Sequence, residues 1–137
     1  MAEAIRVVEY YYTIVPNKTG EAARALTMLK EAGVNLLAFS GFPKGRQAQL
    51  DFVPLDPQGF VKAARRAGMK LSSKKVGFLI QGPDRVGAIG DLLSKLSEAK
   101  INVVAIDAVN SGEGNFGAIL WVKTEDRRRA IKALGAV

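Results

Sequence analysis

The chain has neither cysteine nor histidine. The first absence excludes disulfides, thiolate nucleophiles and zinc–thiolate centres, and the second removes the commonest metal ligand and the commonest general base. The 13 Asp and Glu residues are scattered, and no pair of them stands out as an acid–base couple or as an oxygen cage for a divalent ion. The expectation is a non-enzymatic protein with no cofactor and no metal. Long apolar runs are missing too. None approaches the roughly 18 to 20 residues that span a bilayer, and Met1-Ala2-Glu3-Ala4 lacks the charge and apolar pattern of a signal peptide. A cytoplasmic location and no membrane partner follow as expectations. What remains is ordinary for one or two small globular units: 137 residues, 48% hydrophobic and 24% charged. The net charge of +7 suits an anionic partner, although charge by itself speaks to association and solubility, not to fold.

The sequence repeats itself. Pro16 to Lys70 aligns with Pro83 to Val137 without a gap, pairing Pro16 with Pro83, Gly20 with Gly87, Leu26 with Leu93, Leu29 with Leu96, Asn35 with Asn102, Gly45 with Gly112 and Gly68 with Gly135. The matches fall on turns, helix ridges and one recurring Asn, the positions that set a backbone and line a site. Two domains are expected, 1–74 and 75–137.

Each half reads as strand, helix, strand, strand, helix. In the first, Ile5 to Ile14 is rich in Val, Ile and Tyr and predicts a strand, broken by Pro16-Asn17-Lys18-Thr19-Gly20. Ala22, Leu26 and Leu29 recur at helical spacing ahead of Gly33, a terminating residue. Val34 to Phe42 and Gln47 to Val53 predict two strands, and Asp56-Pro57 predicts an N-cap followed by Pro at the first helical position. In the second half Val76 to Ile80 predicts a strand, and Ile89, Leu92, Leu93 and Leu96 form one helix face. Strands follow at Ile101 to Val109 and Phe116 to Val122, and Thr124 is expected to cap a last helix. The economical fold for this order is α+β, with antiparallel sheets covered on one face by helices. The second copy stops before any fourth strand, whereas the first continues through Met69 to Ser73. The edge beside the first strand of repeat two is therefore expected to be open and to invite a partner strand from this chain or another, which favours a homodimer.

The recurring element is Pro-(Asn/Asp)-(Lys/Arg)-x-Gly between strand and helix, with Asn35 or Asn102 at the start of the strand after that helix. Free N–H groups at a helix start, with glycine admitting close approach, can hold a carboxylate, and an Asn side chain can fix an amino or amide group. The structural alternative is that Asn17 and Asp84 cap the helices while Asn35 and Asn102 close turns.

At these residues the chain resembles the ACT-domain family, small regulatory modules that bind amino acids in biosynthetic enzymes and their regulators. Pro83-Asp84-Arg85-Val86-Gly87-Ala88-Ile89 with Ala99-Lys100-Ile101-Asn102-Val103 is similar to the family's Asp-Arg-Pro-Gly loop and Gly-Ile-Asn-Ile segment. Pro16-Asn17-Lys18-Thr19-Gly20 with Ala32-Gly33-Val34-Asn35-Leu36 is a fainter version. The resemblance implies two ferredoxin-like β-α-β-β-α-β repeats with sheet order 4-1-3-2, the second lacking its fourth strand. It also implies an amino-acid or small-carboxylate ligand at the loops and at a repeat or dimer interface, and a separate biosynthetic enzyme as regulated partner. Carried over by position, the ligand contacts fall on Asn17, Lys18, Thr19, Gly20 and Asn35, and on Asp84, Arg85, Val86, Gly87 and Asn102. Thr19 and Val86 replace the usual loop proline, Asn17 the usual Asp and Lys100 the usual Gly, so the second loop is expected to be the better site.

Three other features have plainer readings. Tyr10-Tyr11-Tyr12 alternates faces on a strand, so at least one ring must point away from the helix-covered side. Lys62, Arg65, Arg66 and Lys70, with Arg127, Arg128, Arg129 and Lys132, read as solvated helix faces. RNA-recognition modules share the element order, but Asn115-Phe116-Gly117-Ala118 offers only Phe116 as a stacking ring. Nucleic acid is thus not the expected partner, and a ligand-free protein-interaction module is the other alternative.

Overall fold

The structure is a computed structural model describing residues 3–137; Met1 and Ala2, at the head of the first expected domain, lie outside it. In chain order the elements are β1 (Ala4–Pro16), α1 (Glu21–Glu31), β2 (Leu36–Lys44), β3 (Gln47–Pro54), α2 (Pro57–Arg66), β4 (Lys75–Pro83), α3 (Ala88–Glu98), β5 (Val103–Gly112), β6 (Asn115–Val122) and α4 (Arg127–Leu134). No helix among the described residues is long and apolar enough to cross a membrane. The chain forms two compact units: Glu9–Lys75, and Val76–Val137 with the residues before Glu9 as far as Val8. Strand β1 therefore contributes its first residues to one unit and the rest to the other, a division that the expected domains 1–74 and 75–137 did not contain.

In the unit Glu9–Lys75 the strand order is β2-β3-β1, antiparallel throughout, with Tyr11 opposite Phe52 and Thr13 opposite Leu50. Alternation along β3 turns Leu50 and Phe52 to the helices, where they pack with Tyr11, Ala25, Leu29, Phe60 and Ala64. Three rings anchor this core, with centroids 5.6 Å apart for Tyr11 and Phe60 and 5.4 Å for Phe52 and Phe60. Full burial of a phenylalanine contributes about 1.5–3 kcal/mol. Asp56 is the N-cap of α2 and Pro57 its first residue, as the dipeptide predicts. The stretch Met69 to Ser73 runs beside β1 without a regular ladder. Ser72 N–H donates to the Tyr12 carbonyl at 2.8 Å, Tyr12 N–H donates to Ser72 Oγ at 3.0 Å, and the Thr13 hydroxyl donates to the Lys70 carbonyl at 2.7 Å. Two of these three bonds use a side-chain hydroxyl in place of a backbone group that a fourth strand would use.

In the other unit the order is β1-β4-β6-β5, with Phe78 opposite Leu120 and Ile80 opposite Ala118. Phe78, Ile80, Leu120, Leu92, Leu96, Ala130 and Leu134 form its core, to which the first part of β1 adds Ile5. The edge beside β4, expected to be open, is taken by β1. Beyond β1 the chain end continues the pairing: Val7 N–H donates to the Val137 carbonyl at 2.9 Å and Val137 N–H to the Ile5 carbonyl at 3.0 Å. The open-edge argument for a homodimer therefore falls, because the chain itself satisfies those groups. Thr124 does not cap the last helix. It opens a short 3₁₀ turn, Thr124–Asp126, which makes Asp126 the N-cap of α4.

Candidate functional site

The two loops that lead into α1 and α3 are built alike. Gly20 and Gly87 are the N-cap residues, at φ of 91° and 81°, a left-handed conformation that side-chain-bearing residues avoid. A Cβ at either would meet nothing within 4 Å, so the backbone angle and not crowding calls for glycine. Neither helix start has a side-chain cap. Glu21 N–H reaches back to the Lys18 carbonyl and Ala88 N–H to the Arg85 carbonyl, both at 3.3 Å, while Arg24 N–H binds the Gly20 carbonyl and Asp91 N–H the Gly87 carbonyl, both at 2.9 Å. No side chain caps either helix start, and each carries one acid in its first turn, Glu21 or Asp91, where the positive end of the helix dipole favours it.

The expected contact residues are used differently in the two loops. In the second, the Asp84 carboxylate accepts from the Asn110 side-chain amide, and Asp84 N–H donates to the Gly114 carbonyl at 2.8 Å, tying the loop to the β5–β6 hairpin. Arg85 is paired with Asp91 at 2.8 Å, a hydrogen bond that raises its already high pKa further. Val86 is fully exposed, and Asn102 lies exposed before β5. In the first, Asn17 N–H donates to the Arg46 carbonyl and Lys18 N–H to the Pro16 carbonyl, at 3.4 and 2.9 Å. Asn35 closes a turn: its Oδ1 accepts from Leu36 N–H and its carbonyl from Leu55 N–H, both at 3.0 Å.

The structure adds a cleft beside the first loop. It measures about 390 Å³, and Asn17 and Lys18 line it together with Glu21, Phe39, Phe42 and Leu50. Thr19, Gly20 and Asn35 are outside that lining. A second cleft of about 380 Å³ lies on the other side of Glu21, between Thr13, Met28 and Met69. Glu21, Phe39 and Phe42 were not among the expected site residues. Glu21 has no signal in the repeat, since Ala88 stands at the matching position, but two exposed phenylalanines on an edge strand are unusual in a sequence with six.

The remaining features fall into place by burial. Phe116 is 5% exposed and packed in the core, so the ring that could have stacked on a base is not presented to one. Tyr11 is the core tyrosine, while Tyr10 and Tyr12 lie on the opposite face, where the Lys44 and Lys75 ammonium groups sit 5.9 and 5.8 Å from the Tyr12 ring centroid. Burial, then the Asp51 carboxylate and Tyr12, pushes the Tyr10 phenol up to about 12. The basic residues of α2 and α4 are exposed, with Arg129 bonded to Asp126 and to the Ala99 carbonyl.

No protein-family model matches the sequence, and no curated protein sequence does. Solved structures do match. Protein BT0572 from Bacteroides thetaiotaomicron superposes with a TM-score of 0.82 at 18% identity, over 96% of this chain and 88% of that one. The ligand-free regulatory subunit of aspartate kinase from Thermus thermophilus superposes with a TM-score of 0.65 at 14% identity, over 98% and 95%. This chain has the fold of ACT-type regulatory domains. The ACT-like fold also recurs inside a larger enzyme: E. coli aspartokinase III, solved with aspartate and ADP, matches with a TM-score of 0.56 at 15% identity, over 97% of this chain and 32% of that one.

Proposed function

We propose that this protein is a non-enzymatic tandem ACT-like regulatory module. Its repeats in sequence are 1–74 and 75–137, and it binds a free amino acid or similar small carboxylate at the loops into α1 and α3. The observation that carries this reading is the repeated, uncapped, glycine-headed helix start at Gly20 and Gly87, where backbone N–H groups are left for an anionic group. A chain without His or Cys has few routes to chemistry of its own. Likeness in fold to regulatory parts of aspartate kinase supports regulation of a separate biosynthetic enzyme. The mechanism is linkage: ligand binding favours whichever arrangement of partner or second copy offers it more contacts, by no more than its differential affinity for the two.

The test is thermal unfolding of the pure protein with each of the twenty amino acids at millimolar concentration, because binding to the native state must raise the midpoint. A rise with one or a few supports the reading, and no rise with any refutes it. A second reading, a protein-interaction module, is favoured by edge strand β5, where Val104 and Val109 are 60% and 66% exposed. It predicts silence in the amino-acid screen and binding of a protein partner that a Val104→Lys, Val109→Lys double variant abolishes.

A further inference from the structure

Two helices account for the whole net charge of +7. α2 carries Lys62, Arg65 and Arg66, α4 carries Arg127, Arg128, Arg129 and Lys132, and neither helix holds an acid. Without these seven cations the chain has 13 Lys and Arg against 13 Asp and Glu. The other two helices mix their signs: α1 sets Arg24 and Lys30 against Glu21 and Glu31, and α3 sets Lys95 against Asp91 and Glu98. The pattern is repeated, because Lys62 aligns with Arg129 and Arg65 with Lys132 at the spacing that pairs Pro16 with Pro83.

Each helix turns these cations away from its core. Phe60 and Ala64 of α2 and Ala130 and Leu134 of α4 are buried, whereas all seven cations are exposed. Arg129 is engaged with Asp126 and with the Ala99 carbonyl, and the other six form no salt bridge among the described residues. The nearest acids in sequence, Asp56 and Glu125 with Asp126, stand at the helix starts. This arrangement works against the helices themselves. Lys62 and Arg66, like Arg128 and Lys132, are like charges one turn apart, and Arg127 and Arg128 stand in the first turn of α4, at the positive end of its dipole. A face that served solubility alone would mix its signs, as those of α1 and α3 do.

The chemistry of these faces selects their partner. Five of the seven cations are arginine, whose planar fork meets the oxygens of a phosphate two at a time. No large apolar side chain of either helix is exposed, so neither face has the anchors that a protein interface buries or that a helix lying on a bilayer inserts. The one aromatic residue of these helices, Phe60, is buried, so an unpaired base finds no ring to stack on. We propose that the exposed faces of α2 and α4 bind the phosphate backbone of double-stranded nucleic acid without reading its sequence. None of the loop residues at α1 and α3 takes part, so the proposal does not depend on the amino-acid reading.

The experiment is fluorescence anisotropy of a labelled random-sequence DNA duplex titrated with the full chain at a series of salt concentrations. Each phosphate neutralised contributes about −0.9 to the slope of log K against log salt. The three free cations of one helix should therefore give a slope of about −2.7 or steeper, which is an affinity loss of about fortyfold or more between about 50 and 200 mM salt. A variant with Lys62, Arg65, Arg66, Arg127, Arg128 and Lys132 all changed to Gln should lose binding and, because these side chains are exposed, keep its melting midpoint. A control variant with Arg6, Lys30, Lys44, Arg46, Lys95 and Lys100 changed to Gln removes the same charge from other exposed positions and should bind as the parent does. No binding at about 50 mM salt would overturn the proposal, as would binding that survives in the helix variant or is lost equally in the control. Tighter binding of a single strand than of the duplex, displacement by polyglutamate at equal charge, or capture by phosphatidylserine vesicles in preference to DNA would overturn it by assigning the faces to a different partner.

Discussion

Replacing Lys100 with glycine is expected to stabilise the protein, and the structure gives both sign and size. Lys100 sits at φ 59°, one of two non-glycine residues with positive φ among the described residues. A side-chain-bearing residue in this region costs roughly 1–2 kcal/mol, while glycine loses about 0.5–1 kcal/mol of extra backbone entropy on folding. The net gain for Lys100→Gly is therefore about 0.5–1 kcal/mol. The first half supplies the control, because α1 ends in the same way with glycine in place. Gly33 at φ 75° donates to the Lys30 carbonyl at 3.0 Å and Val34 to the Leu29 carbonyl at 2.9 Å. After α3, Lys100 donates to Ser97 and Ile101 to Leu96, both at 2.9 Å. A Cβ at Gly33 meets nothing within 4 Å, so Gly33→Ala isolates the backbone cost and should destabilise by about 1 kcal/mol. Lys100 is exposed and forms no salt bridge among the described residues, so its removal sacrifices no ion pair there. Urea unfolding reads both changes: the midpoint should rise for Lys100→Gly and fall for Gly33→Ala, with unchanged slope. In heat, about 4–8 °C per kcal/mol is expected for a unit of this size. A midpoint that stays put or falls in Lys100→Gly would refute the reasoning, since the left-handed cost would then be absent or outweighed.

Three further outcomes follow from the same geometry. Gly87→Ala places a Cβ at φ 81° and should cost about 0.5–1 kcal/mol in unfolding, and it should also weaken any carboxylate held by that helix start; unchanged affinity in calorimetry would remove the amide from the site. Leu92→Ala empties a fully buried position in the core around Phe78 and Leu120 and should cost about 2–5 kcal/mol, read as a lowered urea midpoint; a loss below 1 kcal/mol would mean that α3 does not pack as described. Tyr10, raised from 10.0 to about 12 by burial first and Asp51 second, holds its proton in the folded chain where the unfolded chain has lost it. Its contribution to stability is complete below pH 10 and disappears as pH climbs through 12, so ultraviolet phenolate titration should show a late component that shrinks in Tyr10→Phe. A titration curve that Tyr10→Phe leaves unchanged above pH 10 would contradict the burial.

The order of strands and helices was legible because each element carries its own local chemistry. Pro and Gly mark the turns, Leu92 and Leu96 recur at helical spacing, and Leu50 and Phe52 alternate along β3. Thr124 was misread for an equally local reason: a capping residue looks the same in sequence before a 3₁₀ turn as before a helix. The glycines heading α1 and α3 were found because a left-handed backbone needs them whatever surrounds them. The candidate site was half legible. Its loop residues Asn17 and Lys18 stand in the motif, but Phe39, Phe42 and Leu50 reach the same cleft from β2 and β3, and only strand pairing brings them there.

Composition and periodicity by themselves thus determined the absence of thiol and imidazole chemistry, the order of strands and helices and the two glycine-headed loops, because these depend on residue types or on residues within a few positions of one another. Tertiary structure alone decided that β1 serves both units and covers the edge of β4, that Phe116 is core and not platform, and that Glu21 shares a cleft with Phe39 and Leu50. The physical reason is range. Backbone angles and helix faces are set by neighbours in sequence, whereas an edge strand's partner and a cleft's walls come from residues far apart in the chain, which meet only when hydrophobic burial and backbone hydrogen bonding are satisfied together.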